Sequence, residues 1–115
     1  MSKLDMPTLN QTELIAMWQK TLPEYLNETD QAKVMQDASN SKLIRIHIDS
    51  AGRSFYSFEF NVMYLDSREV NVDFQIAYVD HKPVDEQTEQ LQELIKDYVR
   101  HIHECAQALQ KFTHS

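Results

Sequence analysis

Apolar and polar residues alternate with a period of two between residues 42 and 79, in three consecutive runs. Successive side chains of a strand point to opposite faces, so this alternation predicts three β-strands, each with one buried and one solvated face. We expect the first strand at about 42–49, a second strand that ends near 64, and a third strand at about 69–79. The apolar positions, all even-numbered, are Ile44, Ile46, Ile48, Tyr56, Phe58, Phe60, Val62, Val70, Val72, Phe74, Ile76 and Tyr78.

The register of both hairpins follows from this parity, because even residues must face even residues to keep the apolar set together. The only glycine, Gly52, lies in the first connection, where a short loop often needs a residue at positive φ. The tightest first hairpin pairs Ile48 with Tyr56 and Arg45 with Glu59. The expected pairs of the second hairpin are Val62 with Val72 and Phe60 with Phe74.

Helical spacing predicts two helices before the strands. The first begins at a cap, Asn10, and is expected to end or restart near Leu22, because Pro23 lacks an N–H and clashes with the preceding turn. A second, short helix is expected from Asn27 or Thr29 to Ala38. The apolar stripe of the first helix consists of Leu14, Ile15, Trp18 and Leu22.

A long helix is expected after the strands, because proline is well tolerated in a first helical turn and Pro83 follows the last strand. It is predicted to run to about Lys111. Its apolar residues recur at steps of three and four, which makes one broad stripe suited to a sheet. They are Leu91, Ile95, Tyr98, Ile102, Cys105, Leu109 and Phe112.

The predicted fold is therefore α+β, a three-stranded antiparallel meander packed on one face by N-terminal helices and a long C-terminal helix. The element order is α-α-β-β-β-α. At 115 residues a single domain, 1–115, is expected, with 1–8 as a flexible tail. No stretch approaches the roughly 18 apolar residues that a membrane span needs. The single cysteine allows no internal disulfide and favours a reducing compartment, the cytoplasm.

Helix, three strands and helix is also the element order of double-stranded RNA-binding domains, and in that order alone the chain resembles them. That family carries a Lys-rich cluster at the start of its last helix. Here the segment 84–89 is acidic instead, and the chain has a net charge of −7. Phosphate binding relies on Lys and Arg, so we expect no nucleic-acid binding. The acidity suits a basic protein partner.

One candidate for metal chemistry is the pair His101 and Cys105, which share a helix face, with Glu104 beside them. A zinc site needs three or four ligands, and no second pair is apparent, so a buried structural cysteine is the favoured interpretation. No cofactor is expected.

A second candidate is the set Ser57, His47 and Asp49 on the solvated sheet face, with Ser57 predicted opposite His47. These residue types suggest a nucleophile. An open sheet face offers neither a pocket nor oxyanion donors, which favours a solvated polar surface and a protein that is not an enzyme. The strand aromatics are expected to be core rather than the lining of a ligand cavity.

The remaining hypothesis is a non-catalytic protein–protein interaction protein, a small cytoplasmic accessory or adaptor that forms a homodimer. Alternatives are a small-ligand- or metal-binding protein with a cavity between sheet and helices, or an acidic immunity or inhibitor protein. A helix of about 29 residues would overhang the sheet and carry its apolar stripe outwards. The last strand edge is a second route to a dimer. The candidate interface residues are Phe55, Val79, Ala106, Leu109 and Phe112.

Overall fold

The computed structural model describes residues 11–40, 43–50, 56–66, 69–79, 82–84 and 88–113. In these ranges the chain forms a five-stranded antiparallel sheet in the order β1-β2-β3-β4-β5, with helices on one face. The predicted cap Asn10 and tail 1–8 lie outside the described residues. The elements are α1 (Gln11–Thr21), a 3-10 turn (Leu22–Tyr25), β1 (Asp30–Gln36), β2 (Leu43–Ser50), β3 (Tyr56–Tyr64), β4 (Val70–Val79), β5 (Lys82–Pro83), α2 (Glu89–Ala108) and α3 (Gln110–Thr113).

The α+β class and the antiparallel strands predicted from the alternation are confirmed, as β2, β3 and β4. The even-numbered face of β2 and β3 is the core, as expected. Helix α1 ends at Thr21, just before Pro23. Its Trp18 is fully buried and donates a hydrogen bond from Nε1 to the Tyr64 hydroxyl at 3.1 Å, which ties α1 to β3. The fully buried strand residues include Ile44, Ile48, Phe58, Phe60 and Val62.

The predicted register of the first hairpin is wrong by two residues. Ile48 pairs with Phe58 instead of Tyr56, and Arg45 pairs with Asn61 instead of Glu59. Ser50 pairs with Tyr56, so five residues separate β2 from β3, whereas the tightest parity-preserving turn has three. A shift of two keeps every side chain on its face, which is why the core prediction survives the error.

The second hairpin starts in the predicted register, with Phe60 opposite Phe74, and then changes it. A bulge leaves Gln75 as an extra residue on β4, so Phe58 faces Ala77 and Glu59 faces Ile76. Ala77 is fully buried, whereas Ile76 and Tyr78, predicted to lie in the core, turn towards the outer, odd-numbered face of β3. The parity rule fails here because one inserted residue exchanges the faces.

The predicted second helix is wrong, since its residues form β1 along the edge of β2. Val34 is buried and Ala32 is partly buried, while Lys33 and Met35 are exposed. Pairing with β2 therefore decides the conformation of a segment whose local composition does not favour a strand. The described residues form a sheet of five strands, not three. The element order therefore differs from that of double-stranded RNA-binding domains.

The last long helix is shorter than predicted. It begins after the cap Thr88, whose Oγ1 accepts a hydrogen bond from the Leu91 N–H, and not at Pro83, which lies in β5. Helix α2 has 20 residues, about 30 Å at ~1.5 Å per residue. Strand β4 has 10 residues, about 33 Å at ~3.3 Å per residue. The predicted overhang of two turns rested on a helix of about 29 residues, and that length is not observed for α2.

Candidate functional site

The outer edge of β1 is occupied by a side chain of α1. Gln19 donates from Nε2 to the Ala32 carbonyl at 2.9 Å and accepts at Oε1 from the Val34 N–H at 2.8 Å. These two backbone groups point away from β2, where a further strand would bind them. The Gln19 amide thus satisfies the edge as a neighbouring strand would, and it stands in the way of one.

The opposite edge, along β4, is covered only at one end. The short β5 pairs with Tyr78 and Val79, and the Val84 N–H donates to the Ala77 carbonyl at 3.1 Å. From Val70 to Ile76, β4 pairs with no strand of the described chain other than β3. No described strand therefore binds the outward backbone donors and acceptors there, and an unpaired row of this kind can recruit another chain.

Side chains on both faces of β4 are less covered than those of the central strands. Val72 and Phe74 are only partly buried on the helix side, although Phe74 packs edge-on against Phe60 at 5.7 Å between ring centroids. On the outer face Asn71 and Asp73 are exposed, and Asn71 Nδ2 donates to Asp73 Oδ2 at 2.9 Å. The open edge thus has an apolar margin on one face and a polar margin on the other.

A cleft of about 330 Å³ adjoins the beginning of this open edge, between β4 and the second half of α2. Ala106 lies in it and is buried, while His103 and Gln107 are exposed at its rim. The cleft combines an apolar floor with polar sides. Its lining residues are Glu69, Val70, His103, Ala106, Gln107 and Gln110.

The structure brings Ser57, His47 and Asp49 together on the outer face of the sheet. His47 Nε2 lies 2.9 Å from Asp49 Oδ1, and Ser57 Oγ donates to the same oxygen at 2.6 Å. Ser57 is opposite Asp49, not His47 as the predicted register had it. In a nucleophilic triad the histidine stands between serine and carboxylate and takes the serine proton. Here the carboxylate is central, so the arrangement fits a cross-strand polar network.

His101 and Cys105 point to different partners. His101 Nδ1 lies 3.0 Å from Glu104 Oε1, whereas Cys105 is fully buried in the core. Burial raises the pKa of the Cys105 thiol to about 12, with a smaller contribution from the negative charge of Glu24. The raised pKa keeps the Cys105 thiol protonated at alkaline pH as well. In the described part of the chain, no group of three or more His, Cys, Asp or Glu side chains is placed to hold a metal ion.

A second cavity, of about 450 Å³, lies between the sheet and α2 near the start of β1. At its wall, Asp30 is only 9% exposed. Asp30 accepts hydrogen bonds from the Tyr98 hydroxyl at 3.2 Å and from the Asn27 N–H at 3.2 Å. These bonds join the turn before β1 to α2. The lining residues are Asn27, Thr29, Asp30, Ser50, Leu94, Asp97 and Tyr98.

The candidate interface residues are distributed over different surroundings. Ala106 and Leu109 are buried within the chain, at 4% and 2% exposure, and Val79 is partly exposed beside β5. Phe112 in α3 is 42% exposed. Phe55 lies outside the described residues. The apolar stripe of α2 is thus used mainly for the chain's own core.

Sequence reasoning missed Gln19 and Asp30. An exposed glutamine in an amphipathic helix has no pattern that reveals a backbone partner 13 residues away. Asp30 and Tyr98 are 68 residues apart, and only the fold makes them neighbours. The edge of β4 was predicted from its place as the last strand of the alternating region, whereas β2, the first strand of that region, is covered by β1.

Comparison with known proteins gives no relative from which a role could be transferred: no family model, no curated protein and no solved structure matches the chain. None of the helices within the described ranges has the length and apolar character needed to cross a membrane.

Proposed function

We propose that this chain is a non-catalytic protein–protein interaction protein, a small cytoplasmic accessory or adaptor that self-associates. The observation that carries the proposal is the difference between the two sheet edges. Gln19 binds the Ala32 carbonyl and the Val34 N–H on the outer edge of β1, whereas among the described residues no strand other than β3 pairs with β4 from Val70 to Ile76. Binding energy at such an edge comes from main-chain hydrogen bonds, and neighbouring side chains provide the specificity.

Light scattering at several concentrations tests self-association, with Val72→Pro as the variant that blocks the β4 edge. A proline is tolerated where the N–H faces away from the sheet, so this variant should fold while losing an edge donor. Ala32→Pro is the matched control on the closed edge. We expect wild type and Ala32→Pro to associate and Val72→Pro to remain monomeric. Thermal unfolding establishes that each variant is folded, and a wild-type monomer throughout the micromolar range would contradict the proposal.

A second candidate function is small-ligand binding in the cavity beside Asp30. Its support is the cavity of about 450 Å³ between sheet and helix, where Asp30 and Asp97 offer carboxylates, Ser50 a hydroxyl, and Leu94 apolar surface. That lining suits a small ligand with an amino group. Native mass spectrometry of purified protein separates the two functions, because a stoichiometric small molecule lost in Asp30→Asn would favour ligand binding. Elemental analysis of the same sample tests for a metal.

A variant of the interaction function is an acidic inhibitor or immunity protein with a basic protein partner. Its support is the net charge of −7, together with Asp73 and Glu69 at the open edge. Steered binding of a basic surface weakens strongly with ionic strength. Self-association through strand pairing depends much less on salt, so a salt series separates the two.

A further inference from the structure

We infer that the open edge of β4 pairs antiparallel with β4 of a second copy, about a two-fold axis at Val72. This inference rests on the self-association proposed above and names the surface and register that produce it. The pairing would join two five-stranded sheets into one continuous sheet. We assign a second copy as the partner of the β4 edge, because the side chains of β4 match those of another β4 in one register and not in the neighbouring registers.

The closed edge of β1 limits the pairing to two copies. If β4 of one copy paired with β1 of the next, the contact would be head-to-tail and would continue into a filament. Gln19 already holds the Ala32 carbonyl and the Val34 N–H that such a contact needs. Pairing of β4 with β4 leaves these Gln19 hydrogen bonds intact, and this isologous contact closes after two copies.

The outward-facing groups of β4 restrict the possible registers. The Ala77 carbonyl accepts a hydrogen bond from the Val84 N–H, so the backbone N–H and C=O of Ala77 point away from β3. We call residues with this backbone orientation outward residues. Orientation alternates along an antiparallel strand, and the bulge at Gln75 inserts one residue. The outward residues before the bulge are therefore Phe74, Val72 and Val70. Antiparallel pairing must set outward residues opposite each other, which permits two-fold centres at 71, 72 or 73.

Charge separates these three registers. A centre at 73 sets Asp73 opposite Asp73 of the second copy, and a centre at 71 sets Asp73 opposite Glu69. Like charges directly opposite in a sheet are destabilising. A centre at 72 sets Asp73 opposite Asn71, whose amide already donates to Asp73 within the chain. It also sets Glu69 opposite Gln75. Only this register brings acid opposite amide on both sides of the axis.

The helix-side face fits the same register. With the centre at Val72, the half-buried Phe74 of each copy lies opposite Val70 of the other. Val70 lines the cleft of about 330 Å³ between β4 and α2, and Ala106 contributes its apolar floor. Each Phe74 ring would thus lie beside the cleft between β4 and α2 of the second copy. The pairing would end before Ala77, where Val84 already holds the carbonyl.

Three cysteine variants test the register by disulfide trapping under mild oxidation: Asn71→Cys, Val72→Cys and Asp73→Cys. Directly opposite Cα atoms in a hydrogen-bonded pair are about 5.5 Å apart, within disulfide range, whereas diagonal neighbours are about 7–8 Å apart. We expect a covalent dimer from Val72→Cys alone. Wild type is the control, because its only cysteine, Cys105, is fully buried. Trapping through Asn71→Cys or Asp73→Cys instead would overturn the register.

Charge variants at position 71 give a second, non-covalent test. In the 72-centred register Asn71→Lys creates two pairs with Asp73 of the other copy and should tighten dimerisation by roughly 2- to 30-fold at low salt. Asn71→Asp should weaken it by a similar factor. With a centre at 71 both substitutions would weaken the dimer, since equal charges would meet.

The outcomes separate this inference from the proposed function. A dimer that persists in Val72→Pro and is not trapped by any of the three cysteines would overturn strand pairing while self-association stands. A wild-type monomer at every concentration would overturn both. Trapping at 72, with tighter association in Asn71→Lys, would establish the interface.

Discussion

The two edges of the sheet differ in how their outward backbone groups are satisfied. At β1 the outward backbone groups are bound by Gln19, and α1 is fixed over that edge by the buried Trp18. At β4 the short β5 covers only the last residues, and no other described strand pairs with the rest of that edge. Unpaired strand edges are sites of aggregation that natural proteins usually protect.

The proposed dimer requires both features, a protected β1 and an available β4 edge. A sheet with two open edges can polymerise, and a sheet with two closed edges offers no main-chain contact. One open edge gives a binding surface that is consumed by a single partner. Side-chain burial follows the same gradient, since Phe60 in the centre is fully buried and Phe74 on β4 is only partly buried.

The largest expected effect sharpens that gradient. Phe60→Ala should lower the free energy of unfolding by about 3–5 kcal/mol, the usual range for a buried Phe, because no solvent reaches its ring. Phe74→Ala should cost roughly half as much, since part of its ring is already exposed in the single copy. Urea denaturation at concentrations too low for association measures both. Equal losses would mean that β4 is as deeply covered as β3.

The next effect breaks the closed edge. Gln19→Ala removes two hydrogen bonds and leaves the Val34 N–H and the Ala32 carbonyl without their partner, which should cost roughly 1–3 kcal/mol. With β1 exposed, the variant should also form concentration-dependent species larger than a dimer. Urea denaturation and light scattering measure the two effects.

The matched control for this prediction is Gln90→Ala, the same substitution at an exposed position of α2. It should change stability by no more than about 0.5 kcal/mol, as most surface substitutions do. If both glutamine variants behave alike, the closed state of β1 does not depend on Gln19.

The central strands could be predicted because their side chains carry the signal themselves. The alternation of apolar and polar residues predicts β2, β3 and the first half of β4, and it identifies their buried face even without the exact register. The apolar stripe of α2 was recognised for the same reason. Fold class and most of the core therefore follow from local periodicity, and the edge of β4 follows from its place at the end of the alternating region.

The remaining features depend on contacts that no local pattern reports. The segment 30–36 becomes a strand because β2 offers it an edge, and its short apolar run also suits a helix. The bulge at Gln75 reverses the faces of Ile76 and Tyr78 without any glycine or proline to announce it. Gln19 closes an edge whose existence depends on β1. Each error is therefore a consequence of tertiary pairing.

Alkaline pH should loosen the helix layer on the β1 side, where Cys105 in α2 lies near Glu24 of the 3-10 turn. Burial raises the pKa of Cys105 from 9.0 to about 12, so the fold favours the protonated thiol. That contribution is fully present below pH 9.0 and is lost as the pH rises towards 12, at about 1.4 kcal/mol per pH unit. Urea denaturation of wild type and Cys105→Ala measures it as the difference between the two, which cancels the other groups titrating there. A pH-independent difference would contradict it.

The smallest effect concerns the turn that joins β1 to β2. Asp37 Oδ2 accepts from the Ser39 hydroxyl at 2.9 Å, and from the Ser39 and Asn40 N–H groups at 3.0 and 2.9 Å. The Ser39 hydroxyl bond, followed by the backbone bonds, lowers the pKa of Asp37 below 3.8. The stability that it contributes is therefore present above pH 3.8 and is lost as the pH falls through the lowered value.

Asp37→Asn keeps an oxygen acceptor but does not titrate, so its urea midpoint should fall less than that of wild type between pH 5 and pH 2. Asp37→Ala, which lacks the acceptor, should be destabilised already at neutral pH. If wild type and Asp37→Asn showed the same acid dependence, the carboxylate would not be what holds the closed-edge strand to its neighbour at this turn.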